Sequence, residues 1–159
     1  MLDDWLHHLT FVAALGCGLM AGLFFTFSVF VMDALSRLPA AQGIAAMQSI
    51  NVAIVRPLFL LVFLGTAAAC AVLAAASPWR WDEPGAGYRL AGGLLYLLGV
   101  MLVTFVCNIP RNNALAAVDP ASAGAAGLWH DYLKTWTAWN HVRTVAALAA
   151  TAALIRAVR

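Results

Sequence analysis

Trp136-Thr-Ala-Trp-Asn-His-Val-Arg143 runs directly into Thr144–Ile155, an uncharged stretch late in the chain. Alone, Thr144–Ile155 is too short to cross a bilayer, which takes ~20 apolar residues at ~1.5 Å of rise each. Counting that many back from Ile155 lands on Trp136. A spanning helix here therefore draws Asn140, His141 and Arg143 into its first turns. Ionisable residues at that depth are costly, and they face a bundle interior or a watery cavity. The octet thus points to a membrane fold and also marks where its chemistry should be sought.

The rest of the composition agrees. Of 159 residues, 64% are hydrophobic and 10% charged, and the mean hydropathy is +0.86. A soluble domain carries roughly 25% charged residues, so this chain lacks the polar surface to cover a soluble globule. The formal charge is only +2, with no basic run or aromatic–basic interleaving, which argues against nucleic acid as a partner. Asp3 and Asp4 stand where a signal peptide would carry lysines. The apolar run behind them is also too long for one, so it is expected to be retained as the first span. Cys17, Cys70 and Cys107 are scattered through apolar runs without a Cys-x-x-Cys pair and read as small packing residues.

The apolar runs predict an all-α fold: a four-helix transmembrane bundle, one domain over residues 1–159, with spans near 9–32, 57–76, 90–107 and 136–156. Between the first two spans, Ala40, Ile44, Met47, Asn51 and Ile54 recur at helical spacing after Pro39, which suits a first turn. They predict an additional amphipathic helix. Asn51 interrupts its apolar stripe and Gln48 flanks it. A buried amide needs a hydrogen-bond partner, so Asn51 either ties this helix to the bundle or contacts a ligand. In span one, Gly18-x-x-x-Gly22 is a small-residue pattern for close helix approach. Phe24, Phe25, Phe27 and Phe30 are either lipid-facing and core aromatics or the wall of an apolar pocket. Gly92, Gly93 and Gly99 suit close packing in span three, which Pro110 is expected to end. Trp79 and Trp81 form an interfacial belt.

Four spans place the connections after spans one and three on the same side. Gln48, Asn51, Asn108, Asn112, Trp136, Asn140, His141 and Arg143 therefore gather at one end. The nine Lys and Arg residues divide almost evenly between the two ends, which leaves the orientation open. Trp136, Asn140 and Arg143 share one helix face at i, i+4 and i+7, whereas His141 lies about 100° round from Asn140. His130 and His141 are ~16 Å apart along a helix. No His-x-x-His, Glu-x-x-His or Cys cluster is present, so no metal or haem site is expected. What remains is one histidine among donors: a guanidinium, amides and indole N–H groups. Such a set can hold an anionic, largely apolar ligand, or place a base beside an oxyanion site. Taken singly, the same residues also read as interfacial anchors and helix caps.

Four motifs then stand in order across nearly the whole chain: Gly22-Leu-Phe-Phe-Thr-Phe-Ser-Val-Phe-Val-Met32, Gln42-Gly-Ile-Ala-Ala-Met-Gln-Ser-Ile-Asn51, Asn108-x-Pro-x-Asn112 and Trp136-x-x-Trp-Asn-His-Val-Arg143. Together they resemble the anthrone oxygenase-like membrane proteins. Asp33 departs from the proline expected in many relatives. The resemblance implies a four-helix membrane protein. In the best-understood fungal and bacterial relatives it also implies oxygenation of polyketide anthrones to anthraquinones without flavin, haem or a required metal.

The expected function is accordingly a cofactor-independent oxygenase that uses O2 on a hydrophobic phenolic or anthrone-type molecule. The chain is expected to sit in the lipid bilayer as a multi-pass protein of a bacterial-type inner membrane. From position and chemistry, His141 is expected as the base, with Arg143 and Asn140 as its polar partners. Trp136, Trp139, Asn108, Asn112, Asn51, Gln48, Phe24, Phe25 and Phe27 are expected to contact the substrate. The alternative is a non-catalytic binding or transport module, or an assembly subunit for a lipophilic ligand. The small-residue seams are compatible with a homo-oligomer.

Overall fold

An apolar run in a bilayer has no water to satisfy its backbone, so it closes its own hydrogen bonds as a helix. The computed structural model describes residues 2–159. It contains α1 (Leu2–Thr26), α2 (Met32–Ser36), α3 (Ala40–Ala53), α4 (Pro57–Ala76), α5 (Ala86–Tyr96), α6 (Ile109–Ala116) and α7 (Ala125–Val158). Wider π-helical turns at Phe27–Val31, Leu97–Leu102 and Thr104–Asn108 splice α1 to α2 and α5 to α6. Four helices are thereby long and apolar enough to cross a membrane: Trp5–Ser36, Pro57–Arg80, Ala86–Ala116 and Ala125–Val158. No strand occurs among the described residues. The fold is all-α, and the chain is a multi-pass integral membrane protein.

Two cores hold the helices. The first fills the bundle between α1, α4, α5 and α7, with Cys17, Cys70, Tyr96, Val100, Ala147 and Leu154 at its centre. Cys17 Sγ and Cys70 Sγ touch at 3.9 Å across α1 and α4, as small packing residues would. The second core caps one end, where Met32, Leu35, Ile44, Met47 and Leu115 pack around Trp129, Tyr132 and Trp136. This cap exists because α7 is longer than a bilayer requires. At ~1.5 Å per residue it extends ~50 Å against a hydrocarbon core of ~30 Å. Its first turns project past the membrane, and α2, α3 and α6 fold onto them.

Three local expectations need correction. Pro110 does not end the third helix, which runs on to Ala116. The wide turn Thr104–Asn108 immediately before it relaxes the spacing between the proline ring and the preceding carbonyls, the usual source of the break. Pro39 lies one residue ahead of α3, extended at φ −49° and ψ 138°, and not within its first turn. Gly18 and Gly22 do not form a tight seam: a Cβ on Gly18 would sit 3.8 Å from Thr151, and one on Gly22 would meet nothing within 4 Å. Close approaches are elsewhere: a Cβ on Gly16 would collide with Thr66, one on Gly99 with Ala146, and one on Gly93 would stand 2.6 Å from the Cys70 carbonyl oxygen, so α5 presses on α4 only because that side chain is absent. Gly85 takes a left-handed φ of 84° ahead of α5, a conformation that suits glycine.

Candidate functional site

The site is built on one stripe of α7. Trp129, Tyr132, Trp136, Asn140, Arg143, Ala147, Ala150 and Leu154 recur at three- and four-residue steps, and all are buried. They therefore face the bundle. The lower part of this stripe is apolar, and the middle is not.

Asn140 is fully buried. Its Nδ2 donates to the Phe24 carbonyl oxygen at 2.7 Å and to Ser28 Oγ at 2.8 Å. Thr144 Oγ1 donates to the Asn140 carbonyl, so the Ser28 hydroxyl is left to donate to Thr144 Oγ1 at 3.0 Å. Asn140 thereby ties α7 to the last turn of α1 and to the wide turn Phe27–Val31 that follows it.

Asn140 Oδ1 in turn accepts from Arg143 Nη2 at 2.7 Å, and Arg143 Nη1 donates to Thr104 Oγ1 at 3.3 Å. The guanidinium carbon lies 4.4 Å from the Phe24 ring centroid and 5.2 Å from that of Trp136. Arg143 is 6% exposed, and its Nε has no partner. It forms no ion pair with a carboxylate among the described residues. A buried, unpaired cation held in place by neutral groups and aromatic faces is costly to keep. It is the kind of group that an anionic ligand would complete.

The guanidinium faces a cavity of about 310 Å³, at the small end of the ~300–1,000 Å³ usual for small-molecule sites. Phe24, Phe27, Met47, Phe59 and Phe63 form apolar walls, and Asn51, Thr104, Asn112, Trp136, Asn140 and Arg143 supply the polar groups. Tyr132 donates its O–H to Asn112 Oδ1 at 2.9 Å and so holds that amide at the cavity's edge. Tyr132 itself is stacked between Trp129 and Trp136, with centroids 5.6 and 6.0 Å away. The result is an aromatic slot with one cation at its base.

A model of the anthrone oxygenase family matches residues 59–153, more than half of the chain. The chain belongs to that family. No curated protein and no solved structure matches it. As an anthrone oxygenase family member it is an oxygenase-like membrane protein, and the matched region covers all but the first two residues of α4, the third span and the buried stripe of α7 from Trp129 to Ala150.

In this family member the expected residues divide sharply. Asn140, Arg143, Trp136, Asn51, Asn112, Phe24 and Phe27 line one cavity. Asn108 is buried beside it and donates Nδ2 to the Trp136 carbonyl at 3.2 Å, steadying the stripe from behind. Gln48 points elsewhere: its Nε2 donates to the Leu115 and Val118 carbonyls, closing the end of α6 onto α3. Phe25 and Trp139 are exposed on lipid-side faces. His141 is exposed too and does not line the cavity. One step along α7 from Asn140 turns its side chain ~100° away, which removes the geometric basis for His141 as the base. His130 is likewise exposed. Among the described residues no three His, Cys, Asp or Glu side chains gather as metal ligands.

Thr104 and Tyr132 were not foreseen from the sequence. Thr104 is a lone hydroxyl in an apolar span, and no local pattern marks it. Tyr132 was legible, because it precedes Trp136 by one helical turn.

Proposed function

We propose that this protein oxygenates a hydrophobic phenolic or anthrone-type molecule by holding its deprotonated form against Arg143. The observation that carries the proposal is the buried guanidinium, without a carboxylate partner among the described residues, at the base of an aromatic slot. A flat polycycle is placed between the phenylalanine walls, and its developing oxyanion meets Arg143, which Asn140 Oδ1 holds in position from the other side. A cation fixed in a dry site favours the anionic form more strongly than it would in water, and it needs no reorganisation as charge develops.

In the reaction, a ring methylene loses one proton, and the carbanion left behind is delocalised onto the ring oxygen. That carbanion gives electrons to O2 and forms a carbon–oxygen bond to it. The resulting peroxide anion takes up a proton to become a hydroperoxide. Loss of the remaining hydrogen on that carbon, with cleavage of the O–O bond, releases water and leaves a ketone. One methylene and one O2 thus become one carbonyl and one water. The carbanion is itself the reductant, so this reading calls for no flavin, haem or metal. No cavity-lining side chain is a carboxylate or imidazole, and the protein's part is to make the substrate acidic, with the proton passing to water at a polar mouth beside Asn51 and Asn112, both half-buried in the cavity lining.

The test is to supply anthrone and O2 to the protein in vesicles and follow quinone formation by absorbance, with and without a chelator. Turnover unaffected by chelation is expected. Saturable binding without turnover would move the protein to the binding or transport class.

A further inference from the structure

We propose that the cavity is loaded sideways from the bilayer, through a gap between the first turns of α4 and the π-helical end of the third span. The ligand is an acidic polycyclic aromatic that arrives uncharged from the lipid. Its chemistry rests on the functional reading above, whereas the route comes from geometry.

The cavity walls are of two kinds. Phe24, Phe63, Trp136, Asn140 and Arg143 are buried, but Val55, Leu64 and Phe105 line the same cavity while being 61%, 47% and 54% exposed. Side chains that border both the cavity and the outside mark its opening. Leu64 and Phe105 lie within membrane spans, where the medium they meet is acyl chain, and Val55 lies just ahead of the Arg56-Pro57 break, outside the spans.

The helices explain why the gap exists. Every fully buried residue of α4 lies at Phe63 or beyond, so its opening stretch, residues 57–62, is only partly covered, with Phe59 and Val62 alone resting against the core. Opposite, the wide turn Thr104–Asn108 carries the exposed Phe105 and Val106. The Arg56-Pro57 break starts α4 at the membrane surface. Leu60 and Leu64 then lie ~5 and ~10 Å along the helix from Pro57, in the outer part of one leaflet. A molecule crossing hydrocarbon pays heavily for charge, so it enters neutral and ionises only on reaching Arg143. The volume of about 310 Å³ suits a few fused rings and excludes a phospholipid.

The experiment uses 9-anthracenecarboxylic acid, a three-ring acid that cannot be oxygenated at a ring methylene, delivered from phosphatidylcholine vesicles to full-length protein in the same lipid. Uptake is followed by probe fluorescence. Leu64→Trp and Phe105→Trp, each a change at an exposed position, should narrow the gap. Association and dissociation should slow together by tenfold or more, with Kd changed less than threefold. Leu61→Trp, on the same helix but 70% exposed and outside the cavity lining, should load at the wild-type rate.

If both gap variants load at the wild-type rate while Asn51→Trp slows uptake, the route is the polar mouth and the proposal fails. It also fails if the wild type takes up none of the probe. If loading is gated as expected but anthrone is not oxygenated, the portal stands and the oxygenase reading is the part that falls.

Discussion

Arg143→Met separates a functional cation from a structural one, because the two readings predict different signs. An arginine inside a spanning helix costs up to roughly 2.5–3.5 kcal/mol on insertion scales, the full figure applying at the bilayer centre. In this protein the cost is offset by two ring faces, at about 0.5–2 kcal/mol for a cation–π contact, and by the Asn140 Oδ1 bond at about 1.5–3 kcal/mol. At the low ends of these ranges the offsets total about 2.5 kcal/mol and cancel the cost, so on the functional reading removing the guanidinium should change folding stability by no more than about 2 kcal/mol. Binding has no such compensation. Losing one charge-assisted bond to an anion costs about 1.5–3 kcal/mol, which is roughly a 10- to 150-fold rise in Kd. The assay is a fluorescence titration with 9-anthracenecarboxylate in vesicles, paired with thermal unfolding of the same preparation. Arg143→Lys should fall between, since it keeps the charge but not the planar fork. If Arg143→Met binds within twofold of wild type, or loses stability in step with activity, the guanidinium is a tie between helices and the site has been misread.

Asn140→Leu removes two interhelical bonds, to Phe24 O and Ser28 Oγ, and frees Arg143 Nη2. A loss of about 1–3 kcal/mol in unfolding stability is expected, with weaker anthracenecarboxylate binding in the same titration. His141→Ala changes an exposed position outside the cavity, so quinone formation should stay within twofold of wild type and stability within about 0.5 kcal/mol; complete loss of turnover would restore the histidine to the reaction. Turnover against pH should rise to the ionisation of the bound substrate, which Arg143 lowers by about 1–2 pH units relative to water. A limb near the usual histidine value of ~6.5 that disappears in His141→Ala would contradict this. Gly93→Ala places a Cβ 2.6 Å from the Cys70 carbonyl, and should cost about 1–3 kcal/mol by prising α5 from α4, read as a lower unfolding temperature.

The spans were legible because hydropathy alone carries that signal: charge-free runs of this length have few other stable forms. Their ends were less so. Asp33 reads as the close of the first helix, yet the helix continues through α2, where Asp33 and Arg37 pair at 2.8 Å on an exposed face. The same holds at Pro110, where a π turn absorbed a residue that ordinarily stops a helix. Such turns leave no trace in the sequence, and two of them border the cavity. The gathering of Asn51, Asn112, Asn140 and Arg143 was visible in the topology, since four spans fix which connections share an end. Whether each amide served ligand or scaffold was not visible. Gln48 and Asn108 turned out to bond backbone carbonyls, a choice decided by where α6 and α7 happen to end and cross.

His141 shows which kind of signal deserves more weight. Its chemistry is the most versatile in the octet, and depth in the membrane made it attractive as a base. Helical phase pointed the other way from the start, because Trp136, Asn140 and Arg143 share a face that His141 does not. In a spanning helix, facing the bundle or the lipid depends on a rotation of ~100° per residue, and no side-chain property overrides it. The face that phase selects contains donors and a cation but no base. That composition favours chemistry in which the substrate brings its own acidity and reducing power, and the protein contributes a dry, aromatic, positively charged place for the anion to form.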